Sequence, residues 1–187
     1  MTLFEYLAIA FSLVLSLSGM RVVAGLPHAV RPDRRYWVHL CFVTWQLVFT
    51  VVIFWLFWSF RSVTWNFPTF VLVLASPSLI YFNACTLVPE NPSSVESWRE
   101  YFYSVRTRYF VGVGCWALAT VAISTVVLRM PLLHSGRVPQ AVMILIGVTG
   151  ALSSNRRVHA GIALFVLAVS VLMAVALGLQ PDLVVPS

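Results

Sequence analysis

A chain of 187 residues that is 60% apolar and 10% charged, with a mean hydropathy of +0.90, excludes a water-soluble core; soluble domains are roughly half apolar and a quarter charged. Its twelve basic residues are all arginine, and the net charge of +6 falls singly or in short groups at the ends of apolar runs. That pattern excludes a phosphate-binding stripe for nucleic acid, and the lack of lysine excludes a lysine nucleophile or a retinal or pyridoxal Schiff base formed by this chain.

A membrane span needs about 20 apolar residues, because the hydrocarbon core is about 30 Å thick and a helix rises about 1.5 Å per residue. The first run covers residues 3 to 24. No positive charge precedes it and no small-residue cleavage site follows it, so it is expected to remain as a span. Glu5, Ala8, Ser12, Ser16 and Gly19 recur along it at three- and four-residue spacing and line one face. Such a face reads either as a close-packing seam or as one wall of a water-lined path. Glu5 also suits the positive end of the helix dipole. Arg21, in the last turns, either snorkels to the interface or serves a polar vestibule.

Pro27 and Pro32 mark the end of the first run, and the second covers residues 37 to 60. His39 lies near its start, and Gln46 is seven residues on along the same face. The third, 67 to 88, follows Trp65-Asn66-Phe67-Pro68. Pro77 in its middle removes a backbone hydrogen bond and is expected to kink it, and Asn83 lies about one turn from its end. Beyond Pro89 and Pro92, the stretch Ser97-Trp98-Arg99-Glu100-Tyr101-Phe102-Tyr103 reads as a short interfacial helix leading into a fourth span at 106 to 128. The fifth, 138 to 154, is short, starts at Pro139 and ends at Ser153-Ser154-Asn155; the sixth, 158 to 179, opens with His159.

The expected fold is a single all-α domain, a polytopic bundle of six transmembrane helices. The connections after spans one, three and five hold Arg31, Arg34, Arg35, Arg99, Arg106, Arg108, Arg156 and Arg157, against Arg61, Arg129 and Arg137 after spans two and four. Eight against three puts both termini outside the cytoplasm, which for a bacterial inner-membrane protein means the periplasm. Spans one and four then run in opposite senses, so an inverted repeat is geometrically allowed, although the halves show no convincing sequence match.

Polar side chains inside spans are costly and usually face the bundle interior, so they mark where function would show. Arg21, His39, Gln46, Asn83 and His159 cluster toward the cytoplasmic side. They suggest an inward-opening vestibule of a channel or carrier for a small ion or metabolite, with Ser12 and Ser16 along the path and a homo-oligomer sharing the polar face of span one. An arginine and a histidine would favour an anion, or a step near the ordinary imidazole pKa of about 6.5. Two other classes stay open. One is a non-transporting sensor or assembly subunit whose arginines contact a partner or anionic membrane lipid. The other is a quinone or haem protein, with His39 and His159 as axial ligands from two helices. Otherwise no cofactor or metal is expected: HExxH, GxSxG, a glycine-rich phosphate loop and a carboxylate-rich cluster are all missing, and no enzyme activity is expected.

Cys41, Cys85 and Cys115 fall inside apolar runs without a CxxC and read as buried thiols. Trp37, Trp58, Trp65 and Trp98 fall near expected interfaces as aromatic anchors, while Trp45, Trp55 and Trp116 lie deeper. Taken with Phe4-Glu5-Tyr6, the serine-rich first span ending Gly25-Leu26, Tyr36-Trp37-Val38-His39-Leu40, Pro77 with Tyr81, and Asn155-Arg156-Arg157-Val158-His159, the tryptophans of span two make the chain resemble a family of small six-helix membrane proteins common in Proteobacteria. The resemblance covers nearly the whole chain. It implies the six-helix architecture and carries no biochemical activity with it.

Overall fold

In the computed structural model, residues 2–179 are described, with side chains of the last helix given as far as Val175. Six helices are long and apolar enough to cross a membrane, and no strand occurs among the described residues. They are α1 (Leu3–Ala29), α2 (Trp37–Leu56), α3 (Phe67–Leu87), α4 (Trp98–Val126), α5 (Val138–Leu152) and α6 (Arg156–Leu179). The chain is an all-helical integral membrane protein. The residues after 179, and with them the expected position of the C-terminus, lie outside the described residues.

Local chemistry sets the helix starts. Thr2 and Glu5 form a reciprocal capping box at α1, and Asn66 and Thr69 do the same at α3. Pro68 and Pro139 occupy first-turn positions, where a missing N–H costs nothing. A 3-10 turn, Phe57–Phe60, continues α2, and another, Ser135–Arg137, leads into α5. With its 15 residues α5 is about 22 Å long, shorter than the hydrocarbon core as expected from its sequence.

Four local expectations differ from the structure. Of the three cysteines expected to be buried, Cys41 and Cys85 are only partly buried and Cys115 is exposed. The segment 98–103 is no separate interfacial helix: Ser97 caps it, nothing between Tyr103 and Arg106 breaks it, and α4 runs unbroken for 29 residues. Trp98 is accordingly buried in the bundle rather than anchored at an interface. Helix α1 passes through Pro27 and ends at Ala29, the lost backbone bond falling in its last turn, which the Val30 N–H closes on the Leu26 carbonyl. The packed face of α1 is Leu7, Phe11, Leu15, Ser18, Val22, Gly25 and Ala29, whereas Ser16 is exposed and nothing approaches the Cβ position of Gly19. Helices in lipid associate by van der Waals packing and interhelical hydrogen bonds, and α1 meets α2 and α3 on this other face, with Ser18 and Gly25 as its small residues.

Helix α3 lies between α1 and α4, α5 packs along α4, and α2 passes across this layer to carry α6. Helices α4 and α5 approach closely at glycines. A Cβ on Gly147 would stand 2.8 Å from the Gly114 nitrogen, and one on Gly150 would enter the Phe110 ring. The ends of the bundle are unlike. Arg34 donates to the carbonyls of Ser93 and Val95, the Trp98 indole donates to the His28 carbonyl, and Arg106 donates to the Ser153 carbonyl and the Ser154 hydroxyl. These bonds gather the connections after α1, α3 and α5 at one arginine-rich end.

Candidate functional site

From the arginine-rich end, α2 carries its buried polar residues inward on one face: His39, Gln46 and Thr50. At about 1.5 Å per residue they stand roughly 3, 13 and 20 Å from the start of the helix. Gln46 Nε2 donates to the Ile80 carbonyl of α3 at 3.1 Å, and Thr50 Oγ1 donates to the Gln46 carbonyl at 2.8 Å. Ser18 Oγ of α1 lies 3.4 Å from Thr50 Oγ1 and 3.5 Å from the same Ile80 carbonyl. Three helices therefore meet at one buried polar knot in mid-membrane.

Nearer the arginine-rich end, polarity is buried without satisfaction. His39 is fully buried, stacked on Trp98 at a centroid distance of 4.7 Å with Tyr101 and Phe102 edge-on, and neither ring nitrogen has a hydrogen-bond partner among the described residues. Asn83 packs against Gly112, where a Cβ would collide with its Oδ1, and that oxygen is unpartnered. The hydroxyl of Tyr109, buried beside Phe42 and Phe110, is unpartnered as well. An unsatisfied buried polar group costs about 1–3 kcal/mol, so four such atoms on adjoining faces of α2, α3 and α4 are a substantial concentration of unmet bonding.

Farther in, Phe49 meets Trp116 edge-on at 4.6 Å, Trp45 stacks obliquely on Phe49, and the Trp116 indole donates to Ser76 Oγ at 3.0 Å. This aromatic layer closes the seam. Beyond it a cavity of about 310 Å³ lies between α2, α4, α5 and α6, with Trp45, Phe49, Trp116, Gln140, Met143 and Ser170 on its wall. At its edge Gln140 is bonded to the Thr120 carbonyl, to Ser124 and to Arg137.

Of the sequence candidates, the structure brings His39, Gln46 and Asn83 to this seam. Ser12, bonded to the Ile9 carbonyl of its own turn, and exposed Ser16 lie on the outward side of α1. Arg21 is half-buried and donates Nε–H to the Val88 carbonyl at 3.0 Å, closing the C-terminus of α3. Helix α3 continues through Pro77, with Ser78 donating to the Leu74 carbonyl. His159 faces the carbonyls of Asn155 and Gly150 at 3.0 and 3.1 Å. Phe102 stands between the two histidines, its ring centre 6.2 Å from that of His39 and 5.6 Å from that of His159, so a haem ligated by both would have to displace it. No three His, Cys, Asp or Glu side chains come together among the described residues.

The sequence does not single out Ser18, Thr50, Ser76 or Tyr109, and it marks Trp116 only as one of the deeper tryptophans. Thr50 continues the His39–Gln46 spacing and was detectable; the others depend on which faces pack. Arg137 was counted only as a loop charge, yet it is buried, and all five of its N–H groups have acceptors: the carbonyls of Pro131 and Met130, Ser124, Thr125 and Gln140. No protein-family model, curated protein or solved structure matches the chain.

Proposed function

We propose that the protein is a carrier or channel for a small ion or metabolite, seen with its path closed. The observation that carries this reading is that four of the five unpartnered buried side-chain atoms among the described residues, His39 Nδ1 and Nε2, Asn83 Oδ1 and Tyr109 Oη, lie along this seam, the fifth being Trp65 Nε1. A fold that needed these side chains only for packing would be served better by apolar ones of the same shape. Water or a passing solute supplies the missing partners when the path opens.

The path runs from His39 past Asn83 and Tyr109 to the knot at Gln46 and Thr50, and then through the Trp45–Phe49–Trp116 layer to the cavity on the other side. Rotation of the Trp116 indole away from Ser76 would join the two halves. A second copy docked on the outward face of α1 is the arrangement in which Ser12 and Ser16 also line a path. The arginine-rich end lies in the cytoplasm of a bacterial inner membrane, following the positive-inside bias.

Proteoliposome flux tests the proposal. The purified protein is expected to raise proton flux (an entrapped pH dye), chloride flux or glycerol-driven swelling above protein-free vesicles, and H39F combined with N83L to lower that flux at least tenfold. Flux equal to protein-free vesicles for all three probes, or a double variant as active as the parent, contradicts it.

A further inference from the structure

Between α1 and α4 the membrane-facing strip of α3 presents Val71, Ser78, Tyr81 and Phe82, all exposed. Two arginines flank its arginine-rich end at comparable depth. Arg21 stands eight residues before the end of α1 and Arg108 ten residues into α4, about 12 and 15 Å along their helices. Both are held against the last two turns of α3, Arg21 at the Val88 carbonyl and Arg108 over the Phe82 ring six residues earlier. Arg21 uses only Nε, leaving four N–H groups without a hydrogen-bond partner among the described residues. The Arg108 guanidinium lies 5.0 Å over the Phe82 ring, is exposed, and makes no hydrogen bond among the described residues. Among the described residues Glu90, beyond the end of α3, forms no ion pair with either.

A guanidinium facing lipid with free donors is unstable unless an anion meets it; even a span-centre arginine costs about 2.5–3.5 kcal/mol on insertion scales. The anion available at that depth is a phosphodiester, and planar guanidinium groups match phosphate oxygens well. We infer that this strip binds the headgroup of one anionic phospholipid, its phosphate held between Arg21 and Arg108 and the Tyr81 hydroxyl, with an acyl chain lying over Ser78 and Val71. The aromatic rings of Tyr81 and Phe82 sit where a glycerol backbone would, and small Ser78 leaves room for the chain between α1 and α4. This site is independent of the seam and of any transport through it.

The test uses the full chain in detergent, offered equal amounts of phosphatidylglycerol and phosphatidylcholine with identical acyl chains, and native mass spectrometry to count retained lipid. The protein is expected to retain one phosphatidylglycerol with at least tenfold preference. R108Q, at an exposed position that caps nothing, is expected to lower that preference at least fivefold, as is R21Q, whereas R157Q at the same end leaves it unchanged and R108K keeps part of it. Equal retention of the two lipids, or an equal drop in R157Q, overturns the assignment. So does displacement by millimolar inorganic phosphate, which would identify a free-phosphate site instead.

Discussion

His39 and Arg137 are both buried and polar, yet their surroundings are opposite. Four of the five Arg137 N–H groups meet acceptors at the C-terminal end of α4 or in the turn after it, where Arg129 adopts a left-handed φ of 53°, and the fifth meets Gln140 of α5. Removing that guanidinium strands several carbonyls and hydroxyls, so R137Q is expected to destabilise the protein by about 2–3 kcal/mol. A detergent thermal melt checks this, and an unchanged midpoint would refute the clamp. His39 has no bond to lose. H39F is expected to leave the melting midpoint unchanged or higher while lowering flux; a midpoint several degrees lower would show that the imidazole has a structural partner instead. His39, Gln46 and Asn83 were legible in the sequence because each interrupts an apolar run deep enough to need an explanation. Arg137 was not, because a loop arginine looks the same whether it orients the chain or closes a helix.

Helix α4 and helix α5 are fastened reciprocally. Arg106 of α4 donates to the Ala151 and Ser153 carbonyls at the end of α5, and Arg137 at the start of α5 donates to the Ser124 and Thr125 hydroxyls in the last turn of α4 and to the Met130 and Pro131 carbonyls of the connection after it, so each cation stands beside the C-terminal end of its neighbour. Between the two clamps the backbones touch at Gly114 and Gly147. G147V must push the helices apart and is expected to cost about 1–3 kcal/mol, the range of overpacked cores, whereas G19V, beside open space, should cost far less. Equal losses in the two variants would contradict the packing described. Six spans could be read directly, since about 20 apolar residues have few other uses. Their ends and faces could not be read so well. The cap at Ser97 fuses an aromatic, charged stretch into α4, and the packed face of α1 is chosen by the volume of its neighbours, information that spacing within α1 does not contain.

The whole molecule is a bundle with a charged end, a closed polar seam in that half, and an apolar cavity in the other. Its orientation follows from the arginines and is open to direct labelling. A cysteine at Leu133, fully exposed in the connection after α4, is expected to react with a membrane-impermeant maleimide in intact cells, whereas one at Arg35 reacts only after permeabilisation. The reverse pattern would invert the bundle. Gln46 lies where the seam meets the aromatic layer and holds α2 to the Ile80 carbonyl of α3. Flux through Q46L in proteoliposomes, measured beside the parent protein at matched reconstitution, tests most directly whether a solute passes this point. The closed-path reading predicts a loss of at least tenfold with the six-helix fold retained; parental flux in a folded Q46L would contradict it.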